Sequence, residues 1–164
     1  MTEFSESDRM HLKAVEGWLE LGNPREANNE LENITAELHA HPDVLNLRWQ
    51  VYAKAGKWDT CLDIGEALLK LAPKNPSSWL YQATALHNLK RTAEAREALL
   101  PAAVRFPKDC RVRYDLARCA CLVGELSEAR AWLQQAFELG DQKKLKLMAL
   151  DEPDLARIWV WAGL

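Results

Sequence analysis

Apolar residues fall along this chain in pairs of short helical stripes. In the stretch VGELSEARAWLQQAF, residues 123–137, Ala129, Leu133 and Ala136 stand four and then three positions apart, which is one face of an α-helix. The same face recurs upstream as Ala95, Leu99 and Ala102, as Cys61, Gly65 and Leu68, and as Ala27, Leu31 and Ile34. From Ala27 through Cys61 and Ala95 to Ala129 the step is 34 residues each time. A second stripe precedes each of these. Leu116, Ala117 and Ala120 correspond to Ala14, Val15 and Trp18, to Trp49 and Tyr52, and to Ala83 and Leu86. Each period therefore predicts two amphipathic helices, repeated over residues 8–41, 42–75, 76–109 and 110–143.

The break between the two helices of a period has its own chemistry. Gly22, Gly56 and Gly124 stand where the first helix should end, a place that favours left-handed backbone. Lys90 takes that place in the third period, where a left-handed backbone would cost about 1 kcal/mol. After Gly22 comes Asn23, suited to cap the next helix, with Pro24 at its first position and Glu26 where a reciprocal cap would sit. Pro42, Pro73, Pro76 and Pro107 punctuate the joints between periods. Ala27, Cys61, Ala95 and Ala129 are small because two helices cross there, and a bulkier side chain would drive the backbones apart.

A helix–turn–helix period of this length, with small residues at Ala83 and Ala117, glycine at the turn and alanine five positions later, resembles the tetratricopeptide (TPR) repeat. Tyr52, Trp58, Trp79, Ala95, Ala102 and Pro107 are also types that family favours at those places. The resemblance covers residues 8–143 and implies an all-α fold, an α-solenoid of four tandem helix-turn-helix repeats. Arg48 and Gln82 (where Leu116 is typical), Gly65 (where Leu133 is) and Lys90 depart from the pattern. Residues 1–7 are a lead-in, and residues 144–164 break the period as a C-terminal cap, since a terminal repeat cannot bury its outer apolar face alone. Within the cap, Leu145–Leu150 reads as a capping helix and Leu155–Trp161 as a short apolar finisher. ALDEPDLARIW resembles the closing segment of some bacterial TPR arrays. Trp159 and Trp161 are expected to fold back on the last repeat; the alternative is an exposed tail that recruits a second copy.

Composition narrows the setting. Hydrophobic content of 48% with 27% charged residues suits a globular chain, and a net charge of −3 exerts no general pull on nucleic acid or anionic lipid. Charge runs from acidic in the first period to mildly basic in the third, a modest dipole. The segment MTEFSESDRM lacks the basic and apolar regions of a secretory signal, and no apolar run approaches the roughly 18 residues that span a bilayer. A cytoplasmic location with reduced thiols is the expectation.

Candidate chemistry adds little. Cys119 and Cys121 are two apart, about 200° around a helix, so with Cys110 and His87 they lack metal-ligand spacing. His39 and His41 at the first joint read as caps on a helix C-terminus. No phosphate-cradling glycine loop or nucleophile elbow is present, and neither an enzyme nor a cofactor is expected. Trp18, Trp49 and Trp79 fall on apolar faces, so the tryptophans read as core rather than as a stacking platform for nucleic acid.

By resemblance, the first helix of each repeat lines a concave groove that receives a protein or peptide partner. The residues placed there are Arg9, Lys13 and Glu16, then Asn46, Gln50 and Lys54. The third repeat supplies Tyr81, Thr84, His87 and Asn88, and the fourth Arg111, Tyr114, Asp115 and Arg118. Tyrosine and arginine are the types that most often anchor interfaces. The lysine and asparagine pattern of TPR domains that clamp a chaperone's C-terminal carboxylate is missing, with Leu12, Glu16, Leu47, Ser77 and Tyr81 in those places. The expected function is a non-catalytic scaffold or adaptor binding a peptide segment. The alternatives are a small secretion-type TPR chaperone, or a homo-oligomer built through Trp159 and Trp161.

Overall fold

The computed structural model describes residues 3–163, and among them every regular element is helical. Two compact units, Met1–Lys74 and Asn75–Leu164, divide the chain. The first holds α1 (Glu6–Glu20), α2 (Pro24–Glu32), α3 (Pro42–Lys54) and α4 (Trp58–Leu71), with a 3-10 turn at Ala36–Leu38. The second holds α5 (Pro76–Asn88), α6 (Thr92–Arg105), α7 (Cys110–Val123) and α8 (Leu126–Leu139). It ends in α9 (Gln142–Leu150), a 3-10 turn at Pro153–Ile158 and a last short turn of helix, α10 (Trp159–Ala162).

Successive helices pack as hairpins, α1 on α2, α3 on α4, α5 on α6 and α7 on α8. The periodic stripe is what they bury. Ala27, Cys61, Ala95 and Ala129 are each 0% exposed. Leu31, Leu99 and Leu133 are also fully buried, with Leu68, Ala102 and Ala136 beside them. Gly65 is buried too. A larger residue at any of these crossings would have to open the hairpin or distort its rotamer, which costs roughly 1–3 kcal/mol in a packed interior.

The turn repeats as faithfully as the core. Gly22, Gly56, Lys90 and Gly124 have φ of +71°, +70°, +64° and +93°. In each case the next residue reaches back to the carbonyl five positions before it: Asn23 to Trp18 (2.8 Å), Lys57 to Tyr52 (2.9 Å), Arg91 to Leu86 (2.9 Å) and Glu125 to Ala120 (2.9 Å). Each left-handed residue also donates three positions back, at 3.0–3.2 Å. Two nested bonds thus satisfy carbonyls that the helix end would leave bare. Lys90 adopts the conformation of the glycines despite its Cβ.

Caps begin the helices. Asn23 accepts from Glu26 N–H at 3.2 Å ahead of Pro24, Asn75 from Ser77 N–H at 3.0 Å ahead of Pro76, and Asp109 from Arg111 N–H at 2.9 Å. His41 differs from the sequence expectation: Pro42 opens α3, which makes His41 the N-terminal cap, accepting from Asp43 N–H at 3.2 Å. His39 instead lies 2.8 Å from the Ile34 carbonyl through Nε2. α1 starts at Glu6, two positions ahead of the first full period, because Ser5 and Asp8 form a reciprocal cap. Asp8 also accepts from the Thr35 N–H and hydroxyl, both at 2.9 Å, and so pins α1 to the loop beyond α2.

The unit-2 core runs into the cap. Leu145, Ala149, Leu155 and Ile158 bury against Ala117, Ala129, Leu133 and Ala136. Gly140 has no room for a side chain, since a Cβ would meet Leu145 at 2.8 Å and Cys110 Sγ at 3.0 Å. Trp159 folds back, donating from Nε1 to the Ala149 carbonyl at 2.7 Å. Val160 is 93% exposed, and Trp161 is 42% exposed with Arg130 5.9 Å from its ring.

Lys90→Gly should stabilise the chain by about 1 kcal/mol, because the left-handed turn then carries no Cβ penalty. Urea denaturation checks this, and an unchanged midpoint would show the strain to be negligible. Asp8 gives a pH dependence. Hydrogen bonds from Ser5 and Thr35 hold its carboxyl well below the usual carboxylate range, so its contribution is present at neutral pH and lost as pH falls below about 4. Asp8→Ala should lower Tm at pH 7 and flatten the acid limb of the Tm–pH curve relative to the native chain.

Candidate partner-binding cleft

The residues expected to line a groove sit in both units. In unit 1, Arg9, Lys13 and Glu16 are exposed on α1 and Lys54 is exposed on α3. Asn46 and Gln50 are half-buried on α3, where Gln50 Nε2 donates to Asn46 Oδ1 at 3.1 Å. In unit 2, α5 presents Tyr81, Thr84, His87 and Asn88, all half-buried, with Asn88 Nδ2 donating to the Thr84 carbonyl at 2.9 Å. On α7, Arg111 is exposed, Asp115 and Arg118 are half-buried, and Tyr114 is only 7% exposed.

Tyr114 lies in the same core cluster as Ala117 and Leu145. Burial pushes its hydroxyl up to about 12, and Glu152 adds to the effect, so it stays a neutral wall. Arg111 is held by Asp109 through two bonds, Nε to Oδ1 at 3.2 Å and Nη2 to Oδ2 at 2.7 Å, and its Nη1 reaches Ser77 Oγ at 3.3 Å.

Arg118 is the hub of unit 2. Its Nη1 lies 3.2 Å from Asp115 Oδ1 on its own helix. Its other nitrogens reach the cap: Nε lies 3.1 Å from Glu152 Oε2 and Nη2 3.0 Å from Asp154 Oδ2. His87 Nε2, from α5, closes the cluster 3.1 Å from the same Asp154 oxygen. Burial raises the Asp115 carboxyl above its usual range while Arg118 pulls it down. The three carboxylates hold Arg118 firmly protonated against the cost of its own desolvation. Thus two residues expected to face a partner, His87 and Arg118, hold the C-terminal segment.

Beside this cluster a cleft of about 460 Å³ opens between α5, α7 and the cap, within the usual size of small-ligand and side-chain pockets. Leu80, Tyr114, Leu145 and Met148 supply its apolar surface, and Met148 is 45% exposed at the mouth. Arg111, Arg118, Asp115, Asp151 and Glu152 supply the polar edge. Sequence reasoning missed the contribution of Leu145, Met148, Asp151, Glu152 and Asp154. The signal available was the acidic run DEPD in a segment that carries no helical period.

The cysteines at positions 61, 119 and 121 are interior thiols. Burial pushes Cys61 up to about 11 and Cys119 up to about 12, and raises Cys121, which keeps all three protonated and unreactive near neutral pH. Among the described residues, no three His, Cys, Asp or Glu side chains converge as a metal ion requires, and no helix is long and apolar enough to cross a membrane.

Three solved structures show the same fold. A thermophilic TPR protein from Thermus thermophilus matches with a TM-score of 0.77 at 20% identity, over 95% of this chain and 83% of that one. MamA 41-end from Desulfovibrio magneticus RS-1 matches with a TM-score of 0.73 at 18% identity, over 98% of this chain and 96% of that one. A MamA from MSR-1 matches with a TM-score of 0.67 at 20% identity, over 83% of this chain and 78% of that one. No family model matches the sequence, and no curated protein matches it. The chain is therefore an all-α repeat array with the TPR fold.

Arg118→Gln should lower stability by roughly 1–3 kcal/mol, less than for a fully buried pair because the cluster is partly wet. Hydrogen exchange over residues 152–158 should quicken. The loss should shrink as pH falls into the acid range, where the Asp115 carboxyl, raised by burial, takes up a proton. Unchanged exchange in that segment would remove Arg118 as the tether of the cap.

Proposed function

We propose that this chain is a non-catalytic interaction module that receives a peptide segment of a protein partner. The receiving site is the cleft of unit 2. The observation that carries this reading is the cleft itself: a cavity of about 460 Å³ on the first-helix faces α5 and α7, with an apolar lining and charged edges. Pockets of that composition let one or two apolar side chains anchor while polar groups set orientation. Elsewhere on those two helices Leu86, Ala117 and Ala120 are buried in packing, and Leu122 and Val123 are exposed at the far end of α7. Cys119 is a buried, protonated thiol, and Arg118, Glu152 and Asp154 are engaged with one another in holding the cap.

A photo-crosslinking residue at Met148, which lines the cleft, can be compared with one at Val104, 84% exposed on α6. Cross-linking in cells should give discrete protein adducts from position 148 and none of the same species from position 104. Adducts shared by both positions, or none from 148, would overturn the assignment.

A further inference from the structure

The charges around the cleft do not balance. Arg111 is cancelled by its bidentate partner Asp109. Arg118 faces Asp115, Glu152 and Asp154 together, one cation against three carboxylates. Asp151, exposed at the C-terminal end of α9, adds a further carboxylate to the rim of the cleft and makes no ion pair among the described residues. Five carboxylates against two guanidiniums leave three negative charges uncompensated, or two when His87 is protonated. The lysines of α9 reduce this excess without reversing it. Lys143 and Lys144 line an adjoining hollow that shares Met148 and Asp151 with the cleft and also holds Asp141, so that six carboxylates stand against two arginines and two lysines, while Lys146 sits 5.8 Å from the Phe137 ring. The cleft is therefore apolar inside and acidic at its mouth. Low-dielectric walls focus such a field on whatever enters.

We propose that the partner segment carries a lysine or arginine next to a bulky apolar side chain. The apolar group lies on Leu80, Tyr114 and Met148, and the cation stands at Asp151 and Glu152. This inference rests on the peptide-binding reading of the same cleft. An acidic segment is disfavoured, because it would bring further carboxylates to an edge that already holds an excess of them. A long cationic side chain suits the geometry, since its aliphatic stem covers apolar surface while its head remains at the polar rim.

The test is selection from a phage-displayed dodecapeptide library on the full chain. Enriched peptides should carry Lys or Arg within two positions of Leu, Ile, Met, Phe or Trp at several times the library frequency. Their retention should fall at least tenfold on Asp151→Lys and on Met148→Ser, both exposed positions whose replacement leaves the core untouched. Retention on Glu94→Gln, in a different acidic hollow on α6, should be unchanged. Enrichment of acidic or uncharged peptides that still depend on Met148 would overturn the charge assignment and leave the peptide-binding cleft standing. Peptides indifferent to both Met148 and Asp151, or no enrichment at all, would overturn the inference. The cross-linking result at Met148 then decides whether the broader reading falls with it.

Discussion

The fold depends on one steric allowance, made once per hairpin. Two helices can lie close enough to exclude water between them only where side chains at the crossing are small. Ala27, Cys61, Ala95 and Ala129 meet that condition with no exposed surface at all. Once the backbones approach, the neighbouring Leu31, Leu99 and Leu133 are buried completely, worth about 1.5–3 kcal/mol for each full side chain. The left-handed turns fix the approach, because the same two nested bonds close every first helix at the same distance from the crossing.

That allowance is local, and so it was legible in the sequence. A constraint that recurs at a constant spacing leaves a period, and the period marked out the hairpins, their turns and their buried faces. Even Lys90 could be read as an off-type residue in a left-handed turn, which its φ of +64° bears out. Arg48 shows how a departure is tolerated. It stands half-buried where Leu116 is fully buried, keeping one nitrogen 3.0 Å from Glu32.

What the period could not carry is chemistry between elements that do not repeat. The pin from Asp8 to Thr35 links residues 27 apart through side chains the period does not repeat, since the places 34 residues on hold Pro42 and Leu69. Arg113 is a similar case: a buried guanidinium spends its donors on the Ala103, Phe106 and Asp109 carbonyls, closing the end of α6. The aperiodic tail had no register to read. Its apolar residues announced a cap, but the place where Glu152 and Asp154 would land is set by the 3-10 turn at Pro153–Ile158 and by Trp159 reaching Ala149.

This last point sets the sign of the candidate site. On the helices alone, Arg111 and Arg118 are matched by Asp109 and Asp115, and the wall of unit 2 carries no carboxylate excess. Folding the cap onto it brings Glu152 and Asp154 to Arg118 and adds Asp151 at the rim, so the surface left for a partner is anionic around an apolar hollow. A carboxylate that tethers the cap through Arg118 loses part of its field to that pair, whereas Asp151 makes no ion pair among the described residues and stands exposed at the mouth. The capping segment, needed first because a terminal hairpin cannot leave its outer face bare, thereby sets which charge the cleft can accept.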